Sequence, residues 1–264
     1  MILESVSALA VNKIMGIWLV RSSFFKVPQS SYPFFSGIMK SLMNEQAFLI
    51  FALLNYQNNM NNKEKELREV QMLGLRLPTD PRWVNLAEKG LEEILTDHAY
   101  CEQKAATACI SLIQAYPEKE EMVRELAPVV TEEWGHFRMV LSELDKRGLR
   151  LGRQRKDEYV NQLLLFQKKG GSREERLLEK LLTCALIEAR SCERFRLLSL
   201  HINDPALRDW YHKFMVAEAG HYRLFIDLAK RYTGEAIVRQ RWQEYLEREA
   251  EIMKEMELRG DRMH

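Results

Sequence analysis

Residues 133–138 read Glu-Trp-Gly-His-Phe-Arg, and residues 218–223 read Glu-Ala-Gly-His-Tyr-Arg. Four of the six positions are identical and a fifth is aromatic in both, a match that points to an internal duplication. On an α-helix, positions i and i+3 share a face. Each segment therefore presents a carboxylate and an imidazole to one point, Glu133 with His136 and Glu218 with His221. A further glutamate lies upstream of each pair at nearly the same distance: Glu102 is 31 residues before Glu133, and Glu188 is 30 before Glu218. In antiparallel helical hairpins of that length, the upstream glutamate stands level with the Glu-x-x-His pair. Two such hairpins bring together four carboxylates and two imidazoles, the ligand set of a two-metal carboxylate bundle. Hard oxygen combined with imidazole suits iron or manganese.

The punctuation of the chain agrees with this reading. Asp80-Pro81 has the form of an N-cap and first helical residue, and predicts a helix to about Tyr116. Pro117 opens a second helix that ends at Gly148, with a kink expected at Pro128. A connector, 149–171, holds one short helical stretch over 159–167. Ser172 with Glu175 forms a capping-box pattern opening a third helix to about His201, and Asp204-Pro205 opens a fourth that ends near Gly234. Residues 235–258 predict a fifth, amphipathic helix outside the bundle. The expected fold is all-α, a ferritin-like four-helix bundle with one long crossover, an additional C-terminal helix and an irregular N-terminal extension.

The extension covers residues 1–74, and the bundle domain 75–264. Before residue 75, Ser, Asn, Tyr and Phe mix with apolar residues without a sustained helical stripe. The segment reads as poorly ordered, or as lying upstream of the true start, with Met60 or Met72 as candidate initiators. Its longest apolar run, Ala47 to Leu54, is far short of the roughly 20 residues of a membrane span.

Most helical glutamates are solvated surface charges, but the surroundings here argue otherwise. Glu102 sits among Ala99, Cys101, Ala105, Ala106 and Cys109, and Glu188 among Ala185, Leu186, Ile187 and Ala189. Carboxylates buried there need compensation, which a dication provides. Glu193 is a weaker third-helix ligand than Glu188, because its 25-residue spacing to Glu218 breaks the symmetry with the first hairpin. Glu132 points about 100° away from Glu133 and reads as a solvated or supporting residue. His98, one turn before Glu102, is placed to hydrogen-bond a ligand, with Asp97 and Arg190 as weaker supporting candidates.

With 39 Lys+Arg against 38 Asp+Glu, overall charge selects no class of partner. The four cysteines, Cys101, Cys109, Cys184 and Cys192, form no tight pair. They read as small buried apolar residues in a cytoplasmic protein rather than as a zinc knuckle or a disulfide framework. Charge is uneven only locally: between Lys146 and Arg176 there are ten Lys or Arg against four Asp or Glu. Arg150, Arg153, Arg155, Lys156, Lys168, Lys169 and Arg173 thus form a positive patch of the kind that attracts a phosphate backbone.

The chain resembles the ferritin-like tRNA hydroxylases that act on 2-methylthio-isopentenyl adenosine beside the anticodon. The resemblance spans about Leu75 to Leu246. It rests on Asp97-His-Ala-Tyr-Cys-Glu102, Glu133-Trp-Gly-His136-Phe, Arg153-Gln-Arg-Lys-Asp-Glu-Tyr159, Gly170-Gly-Ser-Arg173 and Glu188-Ala-Arg-Ser-Cys-Glu-Arg-Phe195. It implies a non-haem di-iron monooxygenase that uses O2 and external electrons to hydroxylate the isopentenyl side chain. Glu102 and Glu188 would each favour one iron, and the two Glu-x-x-His pairs would complete and bridge the centre. It further implies tRNA as partner, gripped by the basic connector, and an electron-donor protein whose identity stays open, as does the oligomeric state. The alternatives are a ferroxidase or iron-storage protein, which uses the same ligands, a rubrerythrin-like peroxidase, against which the missing cysteine pairs count, and a non-enzymatic binding module whose metal is structural.

Overall fold

The computed structural model describes residues 73–264, so the extension expected over 1–74 lies, apart from its last two residues, outside the described residues. These contain α1 (Arg82–Lys89), α2 (Leu91–Ala115), α3 (Glu120–Lys146), α4 (Glu158–Phe166), α5 (Arg173–His201), α6 (Pro205–Thr233) and α7 (Glu235–Glu255), and no strand.

Local chemistry explains most boundaries. The Ser172 hydroxyl accepts from the Glu175 amide while the Glu175 carboxylate accepts from the Ser172 amide, a complete capping box at the start of α5. Asp204 likewise accepts from the amides of Ala206 and Leu207 at the start of α6. At the end of α3, Gly148 takes φ +69°, the Leu149 amide donates to Leu144 O at 2.9 Å and the Gly148 amide to Asp145 O at 3.1 Å. That is a Schellman termination, which needs a residue without a Cβ strain penalty at the left-handed position.

Two boundaries differ from expectation. The helix predicted from Asp80 to Tyr116 is two helices, because Gly90 leaves helical geometry at φ −115°, ψ 53°. Glycine is the residue most easily diverted from a helix after proline. The second long helix begins at Glu120 rather than Pro117 and runs through Pro128 without a break.

Helices α2 and α3 form one antiparallel hairpin, and α5 and α6 the other. Arg173 donates to Ala115 O, joining the start of α5 to the end of α2. Arg147 pairs with Asp204 at 2.6 Å, joining the end of α3 to the start of α6. The connector must therefore travel the length of the bundle, carrying α4 on its way. Helix α7 packs on α4, α5 and α6 through Val238, Trp242, Tyr245, Leu246 and Ile252, outside the four-helix core. No described helix is long and apolar enough to cross a membrane.

The core is divided. One apolar cluster gathers Leu112, Met122, Leu126, Leu181, Leu182, Phe225 and Leu228, and the other Leu95, Val140, Leu144, Phe195, Leu198, Tyr211 and Phe214. Each fully buried large apolar side chain contributes roughly 1.5–3 kcal/mol. The two clusters occupy opposite halves of the bundle. The predicted ligands lie in the band between them.

Candidate metal centre

That band holds the six predicted ligands. Helix α2 contributes Glu102, α3 Glu133 and His136, α5 Glu188, and α6 Glu218 and His221; none is more than 9% exposed. Their donor atoms fall into two overlapping groups, Glu102, Glu133, His136 and Glu218, and Glu133, Glu188, Glu218 and His221, each within 4.8 Å. Glu133 and Glu218 belong to both groups. His136 Nδ1 is 3.3 Å from Glu102 Oε2, and His221 Nδ1 is 2.7 Å from Glu133 Oε1 and 3.5 Å from Glu218 Oε2.

These donors contact one another without forming aligned hydrogen bonds. Glu102 Oε2, both Glu133 oxygens, Glu218 Oε2 and the Nδ1 atoms of His136 and His221 are buried without a hydrogen-bond partner. A buried polar atom in that state ordinarily loses 1–3 kcal/mol, more when charged. Burial and then the Glu133 carboxylate push Glu102 well above the usual carboxylate range, and burial and then Glu218 do the same to Glu188. Glu218 is pushed up to about 7, first by burial and then by Glu133. For His221 burial works in the lowering direction, but Glu133 and Glu218 overcome it and raise the imidazole to about 12. Carboxylates crowded together in this way call for compensating positive charge. A pair of dications fits the same donors, ending the repulsion and engaging the orphaned atoms at once.

Two further residues contact candidate ligands. His98 Nε2 lies 2.7 Å from Glu102 Oε1. Its ring is fully buried between Phe195 and Phe214, both at 4.7 Å, and burial keeps its pKa well below the usual value. On the outer side, Glu132 Oε2 lies 3.2 Å from His221 Nε2. Its 100° offset from Glu133 aims it at the neighbouring helix, a contact that spacing within one helix does not reveal.

Other candidates are used elsewhere. Asp97 accepts from the Met263 amide and from Arg262, anchoring the C-terminal tail instead of a ligand. Arg190 points away from the centre, donating to Glu249, Glu193, Thr79 and Leu77 O. Glu193 accepts from Thr79 and Arg190 in that same network, so its distance from Glu188 in sequence becomes a different environment in space.

The basic connector is only partly free. Arg155 binds Asp261 and Glu93 O, Arg173 binds Glu118, Lys156 pairs with Glu158 and Lys168 with Glu244. Arg150, Arg153 and Lys169 are exposed and have no ion-pair partner among the described residues. All four cysteines are free; Cys109 and Cys192 are buried as expected, while Cys101 and Cys184 are partly exposed.

Known proteins resemble this chain in sequence, and one in structure. The chain is 34% identical over 162 residues to a tRNA 2-(methylsulfanyl)-N(6)-isopentenyladenosine(37) hydroxylase of Pseudomonas putida, covering 61% of this chain and 78% of that protein. A protein of the same description from Salmonella typhimurium is 25% identical over 213 residues, covering 62% and 77%. A solved structure from Synechococcus, described as protein 43 with aldehyde deformylating oxygenase activity, superposes with a TM-score of 0.68 at 33% identity, over 72% of this chain and 94% of that one. Since the family model for tRNA-(MS[2]IO[6]A)-hydroxylase (MiaE) matches residues 66–264, which include all six candidate ligands, the chain belongs to that family.

Proposed function

We propose that this chain is an O2-dependent di-iron monooxygenase that hydroxylates the isopentenyl side chain of a 2-methylthio-modified adenosine next to the tRNA anticodon. The observation that carries the reading is the pair of overlapping donor groups sharing Glu133 and Glu218, with their buried atoms unpartnered. Two irons held there would activate O2 with electrons from an external donor protein, chemistry that no amino-acid side chain provides.

The chain's own residues prepare that centre. Glu133 and Glu218, which stand in both donor groups, would be shared between the two metals, and Glu102 with His136 and Glu188 with His221 would complete the two halves. His98, kept neutral by burial, donates its Nε2–H to Glu102 and fixes the orientation of that carboxylate. Glu132 accepts the Nε2–H of His221, which leaves the Nδ1 lone pair facing the centre. The apolar clusters on either side exclude water from the reacting groups. The substrate base stands in a single-stranded loop, where it can leave its stack, and exposed Arg150, Arg153 and Lys169 are available to the phosphates. The reading places the protein in the cytoplasm with tRNA.

Nucleoside analysis of bulk tRNA from cells with and without this chain tests the proposal. Hydroxylated prenyl-adenosine should appear only with the chain; equal amounts in both would defeat it.

A further inference from the structure

Between α2, α4 and α5 lies an apolar cavity of about 400 Å3. Its inner lining includes Leu112, Phe225 and Glu188, all at least 95% buried, whereas Leu164, Thr107 and Ser111 stand exposed at its outer edge. The cavity thus connects the surface to one ligand of the metal centre.

Its shape follows from side-chain size. Cys101, Ala105 and Ala108 are spaced i, i+4 and i+7 along one stripe of α2, and Cys184 and Ile187 face the cavity from α5. Small residues on one wall leave a slot that leucines would close. Glu188 and Lys180 are the charged side chains of the lining apart from Lys104, which is engaged by Asp157, and the rest of the wall is predominantly apolar. An uncharged apolar group carried by a polyanion suits such a wall. Connector residues frame the same opening: Val160, Leu164 and Gln167 line it, Lys156 precedes α4, and Lys168 and Lys169 follow Gln167. The Glu132 contact to His221 lies on the α3–α6 side, away from this opening.

We propose that this cavity is the binding site for the N6-alkyl arm of the substrate adenosine, with Ala105, Ala108 and Cys184 setting its width and Glu188 marking the end that meets the metal centre. The inference rests on the tRNA-hydroxylase reading and locates the face from which the RNA is read. The arm enters between α2 and α5, and the purine stays at the polar edge near Gln167 and Lys180.

The test uses the purified full chain and two anticodon stem-loop RNAs, one carrying N6-isopentenyladenosine and one the unmodified adenosine. The wild type should prefer the prenylated RNA by at least about tenfold in Kd, well within what burial of such a chain supplies. Ala108→Trp and Cys184→Phe, which fill the slot, should reduce the preference to about twofold or less without changing affinity for the unmodified RNA or metal content. Leu164→Ala trims an exposed side chain and leaves the core intact; it should reduce the preference by about threefold. If a filling variant fails to fold, Leu164→Ala and the other filling variant decide. Absence of preference in the wild type, or preference unchanged in the folded variants, overturns the cavity assignment. Preference that depends on the cavity, with no hydroxylated nucleoside in the tRNA analysis, would leave the cavity standing and remove the hydroxylase reading; hydroxylation without such preference would do the reverse.

Discussion

Glu133 and Glu218 each stand in both donor groups, whereas Glu102 and Glu188 stand in one. Replacing a shared carboxylate therefore disturbs both metal positions, and replacing a terminal one disturbs a single position. The Glu133→Ala/Glu218→Ala variant should lose both metals in elemental analysis, while Glu102→Ala should retain about one per chain; two retained by the double variant would refute the ligand assignment. A second residue-scale prediction concerns Asp157. Its side chain caps α4 by accepting from the Val160 amide and pairs with Lys104. Burial acts to raise its pKa, but His264 and Lys104 prevail and hold it well below the usual range. A lowered folded pKa stabilises above the unfolded value, about 4, and that stability is lost as pH falls through the folded value. Asp157→Asn keeps a good cap but not the charge. It should cost on the order of 1–2 kcal/mol at pH 7 in urea denaturation, with the gap from wild type narrowing at pH 3.

At the scale of elements, α5 carries the heaviest structural duty. It is covered by α2, α6, α4 and α7, so charged residues such as Glu179, Arg190, Glu193 and Arg194 are buried on it beside the apolar ones. Its start depends on the Ser172–Glu175 box, which lies in exposed chain just after the two glycines of the crossover. Ser172→Ala should therefore destabilise the protein by about 1 kcal/mol, read as a Tm lower by roughly 2–4 °C. Gly90 shows the opposite kind of control. There the chain breaks an otherwise continuous helical pattern, letting α1 depart from α2 and place the buried Trp83 against the apolar cluster of Leu95, Phe195 and Phe214 and the C-terminal tail.

Across the whole molecule, buried ion pairs tie the bundle to segments that sequence separates widely. Arg190, with no exposed surface, binds Glu249 of α7 at 2.6 Å and Leu77 O before α1 at 2.9 Å; Arg241 of α7 binds Glu179 of α5 at 2.7 Å. Removing one member leaves the other charged and desolvated. Arg190→Met should cost about 3–5 kcal/mol in chemical denaturation, and adding Glu249→Leu should recover much of it. If the double variant is no more stable than the single one, the pair is not coupled as described. The C-terminal tail joins this scheme, with Met263 and His264 buried against Asp97 and Ser191.

The duplicated Glu-x-x-His segments, the matched upstream glutamates and the caps at Ser172 and Asp204 were all readable in the sequence, because helical periodicity and capping are local properties. From them the bundle, its crossover and the converging six residues followed. Tertiary structure decided what locality cannot express. It separated Glu188, inside the donor cluster, from Glu193, five residues on, in a network with Thr79 and Arg190. It turned Arg190 and Asp97 toward α7 and the tail instead of the ligands, engaged much of the basic connector in ion pairs, and opened the slot beside Glu188. Those outcomes depend on which helix covers which face, since an i+3 or i+4 rule relates residues only within one helix.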